Sequence, residues 1–181
     1  MALPPAIDKI WNEMEAVRSK VLNEADGLSQ SQADWRPAES EWSIGEILNH
    51  LAIAETHTGK LTTKLTREAE AAGVIAPYPT DLAGFEPLPS VPTEGMAAPP
   101  AVRPEGGLAL SRLLADLRAV RARSRQSIEK IAGLDPRPLR FKHFSLGELN
   151  LAQWWMLQAS HDAIHLGQIR GVKASPSFPR P

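Results

Sequence analysis

Three histidines are the residues of this chain best placed to do chemistry. His161 and His165 lie four residues apart in Ser160-His161-Asp162-Ala163-Ile164-His165-Leu166-Gly167-Gln168. On a helix, that spacing sends both rings from one face, a turn apart, as two ligands of one ion require. The third, His50, is far upstream in Trp42-Ser43-Ile44-Gly45-Glu46-Ile47-Leu48-Asn49-His50-Leu51. There is no cysteine, which excludes disulfides, thiolate sites and a cysteine nucleophile. Three neutral imidazoles suit Zn²⁺, Ni²⁺ or another borderline divalent ion and leave positions open for water or substrate. Such an ion is a Lewis acid that lowers the pKa of a water or thiol.

Trp154, Leu157 and Gln168 share the helical face of His161 and His165, where they could wall the site or add a polar contact. Asp162 points about 100 degrees away and is not expected to bind the ion. His57 shares the face of His50 but lies roughly 10 Å along the helix, too far for the same ion and better suited to a structural role. His143 reads as a loop residue, and Trp42, Trp154 and Trp155 as packing anchors. Arg121 lies nearest the apolar side of its helix and is the candidate contact for an anionic substrate group. Such basic side chains also commonly cover apolar edges with their heads in water.

Four amphipathic segments position these residues. Ile7, Ile10, Trp11, Met14, Val17 and Val21 predict helix one from about Pro5 to Ala25, opened by prolines and closed near Gly27. A polar connection follows, with Trp35 expected to pack back on the core. Helix two starts at Ser43, whose capping box with Glu46 is the clearest such signal, and runs to Gly73. Pro77, Pro79, Pro87, Pro89, Pro92, Pro99, Pro100 and Pro104 forbid a regular helix over a crossover spanning about 74–106. Helix three is read over 107–132, with Leu110, Leu113, Leu114, Leu117, Val120, Ile128 and Ile131 inward. After a turn at 133–138, Phe144-Ser145-Leu146-Gly147-Glu148-Leu149 echoes the start of helix two, so helix four is predicted from Ser145 to about Gly171. An irregular tail covers about 173–181.

With no convincing alternating strand, the expected fold is all-α, a single-domain four-helix bundle over 1–181. His50 lies roughly 10 Å from the start of its helix, whereas His161 and His165 lie roughly 24 to 30 Å from the predicted start of theirs. The three meet only if helices two and four are antiparallel. Helix three must then run parallel to helix two, which requires a full-length crossover, and the proline-rich segment supplies one.

A chain of 181 residues with 20 basic and 21 acidic side chains and a formal charge of -1 has no general attraction for nucleic acid or anionic membranes. The start, Met1-Ala2-Leu3-Pro4-Pro5, lacks the regions of a signal peptide, and no apolar run approaches a membrane span. The expectation is a cytoplasmic protein acting on a small molecule, with no nucleic-acid or membrane partner. A helical face could serve homodimerisation, although no heptad seam compels it.

The capped helix start bearing His50, followed by His161-Asp162-Ala163-Ile164-His165-Leu166-Gly167-Gln168-Ile169, resembles the DinB/YfiT-like superfamily. The resemblance implies a bundle with a long crossover and a divalent metal, often Zn²⁺ or Ni²⁺, on His50, His161 and His165. It also implies a relationship to transferases or isomerases that use bacillithiol or mycothiol, alongside many relatives with no established activity. The expected function is therefore a metal-dependent enzyme, a transferase activating a low-molecular-weight thiol or, with water instead, a hydrolase. The alternative is a non-catalytic, stress-related bundle that binds a ligand or a protein partner.

Overall fold

The computed structural model describes residues 2–91 and 98–180. Pro92 and residues 93–97 of the crossover, together with Pro181 of the tail, lie outside the described residues. The described chain is mostly helical: α1 (Pro5–Ala25), α2 (Gln30–Asp34), α3 (Ile44–Ala72), α4 (Leu110–Ile131), the strands β1 (Arg140–His143) and β2 (Gly147–Asn150), and α5 (Leu151–Ala174).

Local signals explain most of these elements. Pro5 opens α1, where a missing N–H costs nothing, and Gly27 at φ 74° follows its end. Ser43 Oγ accepts from Glu46 N at 3.2 Å while Glu46 Oε2 accepts from Ser43 N at 2.9 Å, so both ends of the predicted capping box are in place. Gly45 lets α3 approach α2 closely: a Cβ there would stand 3.2 Å from the Ala33 carbonyl oxygen. The polar connection contains a short helix, α2, with its own capping box between Ser29 and Gln32. Trp35 does pack back, with its ring 5.6 Å from that of Phe178.

The start of the last helix departs from the sequence reading. Residues 140–150 form an antiparallel hairpin, with Phe141 opposite Leu149 and His143 opposite Gly147. The helix begins instead at Leu151, capped by Asn150 Oδ1 accepting from Gln153 N at 2.9 Å. The fold is therefore helical with a small two-stranded sheet rather than all-α. Gly147 takes the left-handed φ of 78° in the hairpin, a conformation that the second turn residue of a helix start cannot use.

Cross-helix contacts give the directions. Trp155 Nε1 donates to Thr62 Oγ1 at 3.2 Å, Gln158 Nε2 donates to Thr58 Oγ1 at 2.8 Å, and His161 meets His50. As α5 advances α3 recedes, so the two are antiparallel. Gly45 lies against Leu113 and Glu55 against Arg121, which makes α3 and α4 parallel. The chain after Gly73 therefore returns to the level of the α3 start, where Glu105 N donates to Asn49 Oδ1 at 2.9 Å.

The core falls into two clusters. Val21, Leu48, Leu117 and Ile169 belong to one; Met14, Leu65, Ile128 and Trp155 belong to the other. Along each of the four long helices a buried charged residue separates them: Arg18, Glu55, Arg121 and Asp162.

Candidate metal centre

Each histidine reaches the centre from a well-anchored helix. His50 lies in the second turn of α3, fixed by the Ser43–Glu46 cap, and its ring is buried. His161 and His165 project from consecutive turns of α5, and His161 Nε2 lies 3.0 Å from His50 Nε2 and 3.1 Å from His165 Nε2. One ring nitrogen from each residue thus falls within 4.8 Å of the other two. The sequence expectation that these three side chains converge matches their placement.

The outward nitrogens are tied to oxygen acceptors. His50 Nδ1 lies 2.6 Å from the Val102 carbonyl oxygen and His165 Nδ1 lies 2.7 Å from Gln168 Oε1. Both acceptors require an N–H at Nδ1, so both Nε2 atoms carry a lone pair toward His161. His161 has one ring proton to offer at its Nε2 and cannot satisfy both neighbours fully. A cation among the three nitrogens resolves this conflict, and ligand histidines held through their second nitrogen are the usual arrangement around metals. The donor set, all imidazole nitrogen, fits a borderline divalent ion.

Electrostatics keep the rings neutral. Burial lowers the pKa of His50, against an opposing contribution from the Val102 carbonyl. Burial and the nearby His50 bring His165 down to about 4. Burial, His165 and His50 push His161 well below its ordinary value. Neutral imidazole is the form that binds a metal.

The cluster opens into a cavity of ≈ 1520 Å³. Trp154, Leu157 and Gln168 line it, as the helical wheel places them. Gln168 does so while holding His165, and Trp154 while donating from Nε1 to the Phe141 carbonyl oxygen at 3.3 Å. His57 also lines the cavity, exposed rather than packed, and takes no part in the three-histidine cluster.

Arg121 is not among the residues lining the cavity. It is buried, its Nε donates to Glu55 Oε1 at 2.8 Å and its Nη2 donates to Asp162 Oδ2 at 3.0 Å. The carboxylates it meets belong to the protein, which corrects the expected substrate contact: a guanidinium with its donors already engaged inside the bundle has none left for a ligand. Asp162 completes this layer with Arg18, whose Nε and Nη2 donate to its two oxygens at 2.9 Å each. Arg18 sits at a core position of its helix, between Met14 and Val21, a signal that the apolar pattern of helix one contained.

Two other residues near the centre went unrecognised in the sequence. Trp42, read as a packing anchor, lies 4.9 Å from the His50 ring and stacks at 6.1 Å and 18° on His165. Its position next to the Ser43 cap, eight residues before His50, was the available signal. His143, read as a loop residue, ends β1 and lines the cavity.

Comparison with known proteins agrees with this architecture. The sequence profile of the DinB superfamily matches residues 13–169. The protein named "Uncharacterized protein YuaE" of Bacillus subtilis (strain 168) is 26% identical over 165 residues, covering 91% of this chain and 95% of YuaE. The crystal structure of TT2238, a four-helix bundle protein, has a TM-score of 0.63 at 22% identity and covers 91% of this chain and 98% of its own. That likeness speaks to fold alone. The profile match runs through both histidine-bearing helices and from α1 to α5, and this chain belongs to the DinB superfamily.

Proposed function

We propose that this protein is a divalent-metal-dependent enzyme acting on a small molecule at His50, His161 and His165, with Zn²⁺ or Ni²⁺ as the ion. The observation that carries the reading is the convergence of three Nε2 atoms, two of them from rings whose Nδ1 atoms face oxygen acceptors. An ion held there supplies Lewis acidity and brings a thiol or water toward its anionic form near neutral pH.

Thiol-dependent transfer is the leading chemistry, with hydrolysis as the related reaction when water takes the thiol's place. The chain's own contributions are positional. Trp42 stacks on His165 and shields the rings from water, Gln168 and Val102 hold the imidazoles in one tautomer, and the cavity accommodates both a cosubstrate and an electrophile. The proline-rich crossover serves as one wall of the substrate space, because Val91, Pro99, Val102 and Pro104 line it. No helix among the described residues is long and apolar enough to cross a membrane.

Metal analysis of the purified chain after reconstitution with Zn²⁺ or Ni²⁺ tests the centre, with one ion per chain expected. The His161→Ala/His165→Ala double variant should lose it, and unchanged uptake in that variant would sink the proposal. Activity is then sought with panels of thiols and electrophiles, comparing the loaded protein with His50→Ala. Metal that alters stability with no turnover in any panel would favour a non-catalytic bundle.

A further inference from the structure

His143 lies outside the cluster, lines the same cavity, and has its ring fixed by hydrogen bonds. Its Nδ1 accepts from the backbone N–H groups of Ser145 and Leu146 and from the Ser145 hydroxyl, each at 3.2 Å. A proton on Nδ1 would confront these backbone donors, so the ring proton resides on Nε2. Nε2 has no partner among the described residues and is not sealed inside the protein; the ring lines the cavity that the metal centre opens into. Burial also lowers the pKa of His143, favouring the neutral ring.

The surroundings of this donor are aromatic. The His143 ring lies 4.4 Å from Phe144 and 5.2 Å from Trp154, and Phe141 stands 6.4 Å from Trp154. Phe141 and Phe144 are among the large hydrophobic side chains left exposed, at 43% and 62%. A neutral N–H set in an apolar wall selects a ligand that presents an oxygen acceptor on an apolar body. It gains nothing from a hydrocarbon of the same shape and leaves an unpaired donor beside it.

We infer that His143 is a substrate-orienting residue, a neutral Nε2–H donor that receives the carbonyl oxygen of an apolar, ring-bearing substrate in the cavity shared with His50, His161 and His165. This rests on the proposed function for its meaning as a substrate contact, but the binding itself needs no metal. The hairpin predicted from sequence to be a helix start is the element that creates the site, since its turn amides set the tautomer.

Two probes of one shape separate donor recognition from apolar packing: acetophenone, and α-methylstyrene, in which a CH₂ group replaces the carbonyl oxygen. Binding is followed on metal-free full-length protein by the NMR shift of the Trp154 indole N–H. The wild type should prefer the ketone by about fivefold to tenfold, the scale of one neutral hydrogen bond. In His143→Asn the side-chain oxygen can still accept from the Ser145 and Leu146 amides, while the Nε2 donor is gone. This variant should keep its melting temperature and lose the preference. Long-range ¹H–¹⁵N spectra of the wild type should show His143 protonated at Nε2 alone. A ketone preference that survives in His143→Asn, its absence from the wild type, or a proton on Nδ1 would overturn the inference. Zn²⁺ uptake, measured on the same samples, reports separately on the metal reading: a wild type that shows no ketone preference but intact uptake overturns only the role of His143.

Discussion

Gln168 Oε1 lies 2.7 Å from His165 Nδ1, one turn further along the same helix. A neutral amide oxygen in that place demands an N–H on Nδ1 and turns the Nε2 lone pair toward His161. Replacing Gln168 with Ala frees the ring to rotate and to take the other tautomer. Zn²⁺ affinity should fall by about 10- to 100-fold, the usual cost of losing such a partner, with the helical circular dichroism signal unchanged. Calorimetric titration giving the wild-type affinity for Gln168→Ala would show that His165 is oriented by something else.

The layer formed by Arg18, Glu55, Arg121 and Asp162 takes one residue from each long helix, and all four side chains are at most 5% exposed. Its charges balance as two against two, so removal of one acid strands a buried cation. Asp162→Ala should cost about 3 to 5 kcal/mol and lower Tm by on the order of 10 °C. Glu24→Ala, which breaks a half-exposed cluster with Arg170 and Lys173, should cost roughly 1 kcal/mol or less. Thermal melts in which the two variants fall together would deny the buried layer its structural weight.

The depressed histidines give metal-free protein an acid-sensitive stability. A ring whose folded pKa is lowered binds its proton less readily than in the unfolded chain, so unfolding takes up protons as pH falls below about 6.5. The stabilisation is complete above that value and is lost as pH drops toward the folded pKa, which for His165 is about 4. At about 1.4 kcal/mol per unit, His165 alone accounts for roughly 3 kcal/mol across the window. Urea unfolding of metal-free protein between pH 7 and pH 4.5 should trace this loss, and His165→Gln should flatten it. Parallel curves for the two proteins would place the acid sensitivity elsewhere.

What the sequence revealed and concealed follows from the range of each signal. The three-histidine convergence was legible because helix periodicity and helix direction together fix where a residue stands, and His50, His161 and His165 obey both. The charged layer was hidden because Arg18, Glu55, Arg121 and Asp162 lie far apart in sequence and each resembles a surface residue until its partners arrive. Arg121 was recognised as inward but matched to an external anion, since nothing local announces a buried carboxylate on another helix. The hairpin was concealed by a local tie: Ser145 with Glu148 and Asn150 with Gln153 are both capping-box patterns, and only strand pairing decides between them.

That choice can be measured. Asn150 is buried, its Oδ1 accepts from Gln153 N, and Gln153 Oε1 accepts from Asn150 N at 3.0 Å. Asn150→Ala takes the side-chain acceptor from the Gln153 N–H at the α5 start, leaving that donor unpaired, and should destabilise the protein by about 1 kcal/mol, toward 2 given the burial. Ser145 is exposed in the hairpin turn and its hydroxyl meets only Ser145's neighbour His143, so Ser145→Ala should cost roughly 0.5 kcal/mol or less. Were Ser145 the cap of the last helix, the order would reverse. Urea midpoints of the two variants at equal m-value decide between the two starts, because a larger loss for Ser145→Ala is incompatible with a helix that begins at Leu151.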